Sequence, residues 1–251
     1  MKADYVIVGA GSAGCVIANR LSADPKVSVV LLEAGPADLN PWIHIPVGYF
    51  KTIHNPTVDW CYKTEPDKGL NGRSIDWPRG RVLGGSSSLN GLLYVRGQPQ
   101  DYDRWAQMGN KGWGWEDVLP LFKRSEKNER GADEFHGDQG NLSVSNMRIQ
   151  RPITDAWVEA AQSAGYKFNP DYNGADQEGV GFFQLTAKNG RRCSSAVAFL
   201  NPVKSRKNLT IITHAQVEKL DIKDKRAVAV RYKDRSGTEH IVEAGREIIL
   251  S

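Results

Sequence analysis

The first 32 residues contain two short apolar runs separated by a glycine-rich turn and a helical pattern. Residues 4–8 (DYVIV) and 28–32 (SVVLL) are short and rich in β-branched side chains, which is typical of buried parallel strands. Between them, residues 15–23 place apolar side chains at helical spacing, and Pro25 ends that pattern. The pattern predicts a strand, a helix and a second strand, which together form a βαβ unit.

The next segment, residues 35–79, has only weak periodicity and is rich in Pro, Gly, Asn, Trp and Asp. A stretch of this length without regular structure is usually either functional or disordered. Its aromatic side chains argue against disorder, since disordered segments are poor in them. We therefore expect this segment to lie across the surface of the α/β fold.

Regular patterns return in the rest of the chain. Residues 101–127 predict helix, with Asp101 as its cap, and residues 154–165 predict an amphipathic helix. Residues 179–192 predict a strand and a hairpin. Residues 209–250 alternate apolar and polar positions in five short runs, which predicts antiparallel strands.

Composition and charge exclude several classes of protein. Of the 251 residues, 40% are hydrophobic and 25% are charged, as in ordinary globular proteins. The net charge of +4 comes from basic and acidic residues spread along the chain, so we expect no nucleic-acid partner. No apolar run approaches the roughly 20 residues that span a bilayer. We expect a cytoplasmic protein without a transmembrane segment, and peripheral association with a membrane is left open.

The three cysteines do not indicate a set of structural disulfide bonds. Cys15, Cys61 and Cys193 are odd in number and widely spaced, which fits neither a set of disulfides nor a metal site. We expect thiols in or near the core and no metal ion.

The turn after the first strand, GAGSAG, carries Gly9, Gly11 and Gly14 in the spacing of a dinucleotide-binding fingerprint. Gly9 allows the tight turn, Gly11 lets a pyrophosphate approach the backbone, and Gly14 lets the helix pack close to the strand. Glu33, at the end of the second strand, can accept hydrogen bonds from the ribose hydroxyls and would repel a 2′-phosphate, which disfavours NADP. The motif alone leaves NAD and FAD open.

A second glycine-rich stretch, GRVLGGSSSLNGLLYVRG, occupies residues 80–97. The adjacent Gly84 and Gly85 permit the backbone to lie flat against a planar or charged group. Serine hydroxyls and their N–H groups can bind phosphate or the polar atoms of a ring.

Together with the first fingerprint, these residues resemble the glucose–methanol–choline (GMC) family of FAD-dependent oxidoreductases. Residues 80–94 satisfy the first signature of that family at every position. Residues 33–36, 136–145, 189–200 and 208–217 also look like family segments, in the family's order. The resemblance covers essentially the whole chain. The segments EAGP and YVRG are similar to bacterial choline and alcohol dehydrogenases, which weakly favours a dehydrogenase over an oxidase.

The resemblance implies an α/β fold: an FAD-binding, Rossmann-like domain of the GMC type with part of a second, α+β substrate-binding domain. It implies that residues 1–135 are the first part of the FAD-binding domain. Residues 136–190 would begin the substrate-binding domain, and residues 191–251 would return to the FAD-binding domain.

The resemblance also implies which residues contact FAD. The glycines of the first fingerprint, with Ser12, Ala13, Glu33 and Ala34, would hold the ADP half. The pyrophosphate and flavin would lie against Val82, Gly84 and Gly85. The isoalloxazine ring would run beside Asn90, Gly91, Leu92 and Leu93, and the main chain of Val217 would recognise adenine.

One position departs from part of the family. Some members attach FAD covalently through a histidine in the second glycine loop, and the matching residue here is Leu89. Leucine cannot form that bond, so we expect FAD to be bound non-covalently.

The implied reaction is oxidation of a small-molecule alcohol to an aldehyde or ketone, by hydride transfer to flavin N5 with a base that takes the hydroxyl proton. In the family that base is a histidine far toward the C-terminus. We expect none of the five histidines here to be catalytic, and we expect a C-terminal half of the same protein to supply the missing groups. Residues 248–250 would then form a strand whose remaining partners are absent, leaving an open edge.

Two other functions stay open at this stage. The GMC scaffold also carries lyases and a light-driven decarboxylase, for which a cyanohydrin or a fatty acid, and not an alcohol, would change the bound flavin. The chain could also be an NAD-binding protein or a nucleotide-binding module without catalysis. Fold analogy alone does not separate these possibilities, and the particular alcohol is not specified.

Overall fold

The computed structural model describes residues 1–251 and divides them into two compact units. The first unit contains residues 1–91 and 192–251, and the second contains residues 92–191. The strands are β1 (Lys2–Val8), β2 (Val29–Leu32), β3 (Tyr62–Lys63), β4 (Asp76–Trp77), β5 (Glu126–Asn128), β6 (Leu142–Val144), β7 (Ala187–Lys188), β8 (Arg191–Arg192), β9 (Leu209–Ile212), β10 (Gln216–Lys223), β11 (Arg226–Lys233) and β12 (Glu239–Leu250). The helices are α1 (Ser12–Leu21), α2 (Pro41–His44), α3 (Tyr49–Thr52), α4 (Pro99–Gln107), α5 (Trp115–Ser125) and α6 (Pro152–Ser163). No helix combines the length and the apolar character that crossing a bilayer requires.

The first unit is built on a six-stranded mixed sheet in the order β10-β11-β12-β1-β2-β9. Strand β1 pairs in parallel with β2, from Tyr5 opposite Val29 to Val8 opposite Leu32. All four residues of β2 are buried, which explains the uninterrupted apolar run in its sequence. The predicted βαβ unit is present, with α1 ending at Leu21, before Pro25.

Two predictions for residues 209–250 are wrong. Strand β9 pairs in parallel with β2 instead of antiparallel with a neighbour in sequence. The two runs predicted as separate strands, HIVEA and EIIL, form the single strand β12. A lone glycine, Gly245, lies between them in the continuous strand, because one glycine without a second turn residue does not reverse the chain.

The predicted open edge at residues 248–250 is present on one side of the strand, because β11 pairs only with residues 239–243 of β12. Strand β12 lies inside the sheet, where it pairs in parallel with β1 and antiparallel with β11. Ile248 is opposite Val6 and Leu250 is opposite Val8. The outermost strands of the sheet are β9 and β10.

The predicted helix over residues 101–127 is two helices, α4 and α5, followed by β5. Gly109 and Gly112, between the two helices, have φ values of +100° and +83°, which a continuous right-handed helix excludes. Asp101 is not the N-cap residue. Gln98 takes that place, and its N–H donates to Asp101 Oδ2 at 2.8 Å.

The compact units are divided differently from the domains expected from the sequence. The second unit begins at Leu92, before the expected boundary at residue 136, whereas the chain returns to the first unit at Arg192, next to the expected position. Residues 92–135 therefore fold with the second unit. The functional assignment of the domains stays a prediction.

The core of the second unit contains a buried cluster of charged and amide side chains. Glu126 accepts hydrogen bonds from Arg96 Nη2 at 2.7 Å and from the N–H of Gly137 at 3.1 Å. The ring of His136 lies between the carboxylates of Glu126 and Asp171, at 3.0 Å and 2.9 Å. Asn128 donates to Glu126 at 3.1 Å. Buried charges of this kind are tolerated because each one has an opposite charge and hydrogen bonds.

His136 is expected to make the stability of this unit depend on pH. Burial lowers the pKa of His136, but the hydrogen bonds and charges of Asp171 and Glu126 outweigh burial and raise it to about 9 from an ordinary value of 6.5. A raised folded-state pKa means that the contribution is complete below pH 6.5 and is lost as the pH rises through about 9. The loss should be roughly 3 kcal/mol.

Urea unfolding of the purified protein below pH 6.5 and above pH 9 measures this difference. The pKa of Asp171 is lowered by its bond to His136, so Asp171 stays ionised across this range and adds no slope. The variant His136→Gln should show a much flatter profile, whereas the half-exposed His240→Gln should keep the wild-type slope. An unchanged slope in His136→Gln would contradict the assignment.

Candidate cofactor-binding site

A cavity of about 250 Å³ opens at the carboxyl ends of β1 and β2 in the first unit. This end of a parallel sheet is where α/β proteins bind their ligands. The cavity is lined by Val8, Gly9, Gly11, Leu32, Glu33, Ala34, Trp60, Gly80, Gly85, Ala215, Gln216, Val217 and Ser251. Six of these were predicted from the sequence to contact a cofactor: Gly9, Gly11, Glu33, Ala34, Gly85 and Val217.

The first glycine loop, residues 9–14, joins β1 to α1 and contains only glycine, alanine and serine, so none of its side chains is large. Gly9 has a φ of +95°, and a Cβ atom there would lie 2.4 Å from the carbonyl oxygen of Ser251. A Cβ atom at Gly14 would lie 2.0 Å from the carbonyl oxygen of Gly9, so only glycine lets the helix begin so close to the strand. At Gly11 a Cβ atom would meet nothing within 4 Å, and the space beside its backbone is open to the cavity.

Helix α1 begins at Ser12, directly after Gly11. The first N–H groups of a helix have no acceptor within it, and the helix dipole adds a partial positive charge at that end. Ser12 and Ala13 are exposed, which leaves their main chain accessible. The arrangement suits an anionic group such as a pyrophosphate.

The second glycine loop, defined here as residues 80–91 and called the glycine–serine loop, lies against the first. The N–H of Gly84 donates to the carbonyl oxygen of Ala10 at 2.8 Å. A Cβ atom at Gly85 would lie 2.7 Å from Gly11 Cα. Gly84 and Gly85 have φ values of +91° and +55°, which glycine adopts most easily. The two glycine loops therefore converge, although the contacting residues Ala10 and Gly84 are 74 positions apart in the sequence.

The serine hydroxyls hold the glycine–serine loop in shape. Ser87 Oγ donates to the carbonyl oxygen of Gly84 at 2.5 Å, and Ser88 Oγ donates to that of Leu83 at 2.8 Å. Ser86 Oγ accepts a hydrogen bond from the N–H of Gly80 at 3.1 Å. The hydroxyl protons of Ser87 and Ser88 are thus used within the loop, which leaves main-chain groups and the exposed Ser86 hydroxyl as donors toward a ligand.

Glu33 is fixed by two backbone hydrogen bonds. Its Oε2 accepts from the N–H of Ala10 at 2.9 Å, and its Oε1 accepts from the N–H of Gly35 at 2.9 Å. Burial raises the pKa of the Glu33 carboxyl, and these two donors oppose that rise. Each carboxylate oxygen keeps a second lone pair, so the group can still accept hydrogen bonds from hydroxyls in the cavity that it lines.

The remaining predicted residues do not line the cavity. Val82 is fully buried in an apolar cluster with Ile43, Val58 and Leu89, so its side chain belongs to the core. Asn90 and Gly91 are exposed, and Asn90 Oδ1 accepts a hydrogen bond from Arg192 at 2.8 Å. The other predicted residues outside the lining are Ser12, Ala13, Gly14, Gly84, Leu92 and Leu93.

Leu92 and Leu93 belong to the second unit. Leu92 is buried and has a φ of +66°, which is a strained conformation for a side chain of this size. Leu93 is mostly exposed.

Sequence reasoning did not predict Trp60 as a lining residue. Its ring lies in the cavity wall, and the guanidinium of Arg81 lies 4.9 Å from the ring centroid. The only signal was its place among the aromatic residues of the weakly periodic segment. Gly80, Ala215 and Gln216 also line the cavity and were not predicted as contacts.

The fold and the position of the cavity are those of the dinucleotide-binding class of α/β proteins, and comparison with known proteins gives the family. The model for the GMC oxidoreductase family matches residues 3–251. The chain belongs to the GMC oxidoreductase family.

The relatives include dehydrogenases and oxidases. The chain is 48% identical over 251 residues to an alcohol dehydrogenase [acceptor] of Pseudomonas putida, covering 99% of this chain and 45% of that protein. It is 44% identical to the mitochondrial choline dehydrogenase of Homo sapiens, covering 98% of this chain and 43% of that protein. The crystal structure of pyridoxine 4-oxidase from Mesorbium loti superimposes with a TM-score of 0.93 at 37% identity, covering 99% of this chain and 49% of that one.

These findings confirm the predicted family and the predicted α/β fold class. GMC oxidoreductases use FAD, and the solved relatives include a formate oxidase of Aspergillus oryzae studied for modification of its FAD. The chain spans about 45% of the length of the relative from Pseudomonas putida.

Proposed function

We propose that this chain is the FAD-binding part of an enzyme that oxidises an alcohol to an aldehyde or ketone. The observation that carries the proposal is the contact between the two glycine loops at one cavity, where Gly84 donates to Ala10 and Gly85 lies against Gly11. On two sides of the cavity the backbone carries no large side chains, so its N–H groups can contact a ligand directly. Such a site suits a long ligand that is partly planar and partly anionic. The family of the chain supports FAD as that ligand.

The residues present fit this cofactor. The open space beside Gly11 and the start of α1 would receive the pyrophosphate. Glu33 would accept the ribose hydroxyls with its remaining lone pairs, and the main chain at Val217 would border the adenine. The glycine–serine loop would support the flavin end. Leu89 is aliphatic and buried, so it offers no nucleophile for a covalent bond, which supports non-covalent binding.

When bound, FAD supplies a ring position, N5, that accepts a hydride from the alcohol carbon. The residues of this chain would hold and orient FAD, with the start of α1 facing the negative charge of the pyrophosphate. None of its five histidines lines the cavity. His136 is paired with two carboxylates, His240 with Asp234, and His44 with the carbonyl oxygen of Asp38. We infer that the base that takes the hydroxyl proton lies outside residues 1–251, in keeping with relatives about twice as long.

A binding experiment tests the cofactor. We expect the purified protein, freed of ligand, to bind FAD with the visible absorption of a flavin and to bind NAD far more weakly. After denaturation, all of the flavin should separate from the chain. Flavin that stays with the denatured chain would contradict non-covalent binding, and selective binding of NAD would overturn the proposal.

A reduction experiment tests the substrate class. An alcohol added without oxygen should bleach the flavin of the holoenzyme when the C-terminal part that holds the base is present, and should leave the flavin bound to residues 1–251 alone unchanged. If a cyanohydrin or a fatty acid changes the bound flavin and alcohols do not, the protein is a lyase or decarboxylase on the same scaffold. A cytoplasmic location stays a prediction.

A further inference from the structure

Arg192, at the point where the chain returns to the first unit, is a buried cation that joins three segments. Its side chain is among the largest that are fully buried, with a residue exposure of 2%. Nε donates to the carbonyl oxygen of Ile43 at 2.7 Å. Nη1 donates to the carbonyl oxygen of Ser87 at 3.1 Å and to Asn90 Oδ1 at 2.8 Å. One planar group therefore fixes the glycine–serine loop at two points and ties it to α2.

The charge of Arg192 is not balanced by its hydrogen-bond partners. All three acceptors are neutral amide oxygens, and Nη2 has no hydrogen-bond partner. Burial lowers the pKa of Arg192 to about 10, which leaves the guanidinium protonated at neutral pH. A buried cation without a carboxylate costs stability. An apolar side chain of similar size would fill the space at lower cost, but it could not hold the loop.

The residues that follow Arg192 in the chain also contact the glycine–serine loop and support it. The N–H of Ser195 donates to Ser87 Oγ at 2.9 Å, and Ser87 Oγ in turn donates to the carbonyl oxygen of Gly84. A Cβ atom built at Gly84 would lie 3.3 Å from Ala196 Cβ, so this part of the chain is packed directly against the loop. The conformation of Gly84, whose N–H reaches the first glycine loop, is thus set by the segment from Arg192 to Ala196.

We propose that Arg192 is a positioning residue, which holds the glycine–serine loop in its contact with the first glycine loop before any cofactor arrives. Between the buried Val82 and Leu89, the stretch from Gly84 to Ser88 carries only short side chains and two glycines with positive φ, so it has little side-chain packing to maintain its conformation. A loop that is already ordered loses less conformational entropy when the ligand binds, so its affinity for the ligand is higher. This inference rests on the proposed function only in taking FAD as the ligand.

The experiment compares Arg192→Gln and Arg192→Lys with Arg191→Gln, which removes the same charge from the exposed neighbouring residue. Lysine keeps the charge but loses the separated donors of the guanidinium. Hydrogen exchange of the ligand-free protein should quicken about tenfold or more at the amides of residues 84–90 in both Arg192 variants, with the sheet unchanged. FAD affinity, measured by titration, should fall about ten- to a hundredfold. Arg191→Gln should match the wild type in both measurements.

The outcomes separate this inference from the proposed function. If the wild type fails to bind FAD, the proposed function fails, while the exchange data still test the role of Arg192. If Arg192→Lys restores both the wild-type exchange and the wild-type affinity, charge alone matters and the positioning role is wrong. If exchange quickens across the whole sheet, or if neither variant yields folded protein, Arg192 stabilises the fold in general and the proposal is overturned.

Discussion

Replacing Gly85 with alanine is expected to abolish FAD binding and to destabilise the first unit. The new Cβ would lie 2.7 Å from Gly11 Cα, closer than two carbon atoms can approach, and the φ of +55° disfavours any side chain. The clashing atom, Gly11 Cα, is part of the backbone, so no flexible side chain can move aside to relieve the contact. The two glycine loops must therefore separate, which breaks the contact that forms the cavity wall. Strain and overpacking together should lower the free energy of unfolding by roughly 2–4 kcal/mol.

FAD titration and urea unfolding of the purified protein measure the two effects of Gly85→Ala. The matched control is Gly245→Ala in β12, where the added Cβ would have its nearest contact at an ordinary 3.5 Å from a carbonyl oxygen. The control should bind FAD as the wild type does and change the free energy of unfolding by less than about 1 kcal/mol. Wild-type affinity in Gly85→Ala would show that the contact between the loops is not needed for the site.

Replacing Glu126 with glutamine is expected to have the largest effect on stability in the second unit. The carboxylate accepts hydrogen bonds from Arg96, Asn128, His136 and the N–H of Gly137, and the side chain has no exposed surface. Glutamine offers one oxygen and presents an NH₂ group to donors. Two cations would then share the core without that carboxylate, and removing one partner of a buried ion pair costs about 3–5 kcal/mol.

Urea unfolding at neutral pH compares Glu126→Gln with Glu239→Gln. The control has the same chemical change in an ion pair with Arg231 at 3.0 Å, but that pair is partly exposed to solvent. Exposed pairs contribute about 0–1 kcal/mol, so the control should differ little from the wild type. Equal effects of the two substitutions would show that the Glu126 cluster contributes no more than a surface ion pair.

The βαβ unit and the two glycine loops could be predicted because their signals are local. Val6 and Ile7 in the first strand and Val29–Leu32 in the second are buried, which gives the short apolar runs. The spacing of Gly9, Gly11 and Gly14 follows from steric limits within one turn. The resemblance to the family then extended these signals to Val217 and the rest of the chain.

What could not be predicted depends on contacts between distant residues. Strand β12 has polar residues along much of its length, so its place inside the sheet follows from pairing with β1 and β11 and not from its own pattern. Arg96, Glu126 and His136 are charged residue types that suggest a surface, and only the folded chain brings them together in a core. Likewise, nothing local in the sequence showed that both oxygens of Glu33 bind backbone N–H groups.

The position of β1 between β2 and β12 has a consequence for how this polypeptide is made. On the ribosome, Lys2–Val8 is synthesised long before Leu250, which completes one of its two neighbouring strands. Until then the strand has an unpaired side, the kind of surface that attracts other chains. A chain that is released between the synthesis of these two segments would therefore expose that side of β1 to other chains.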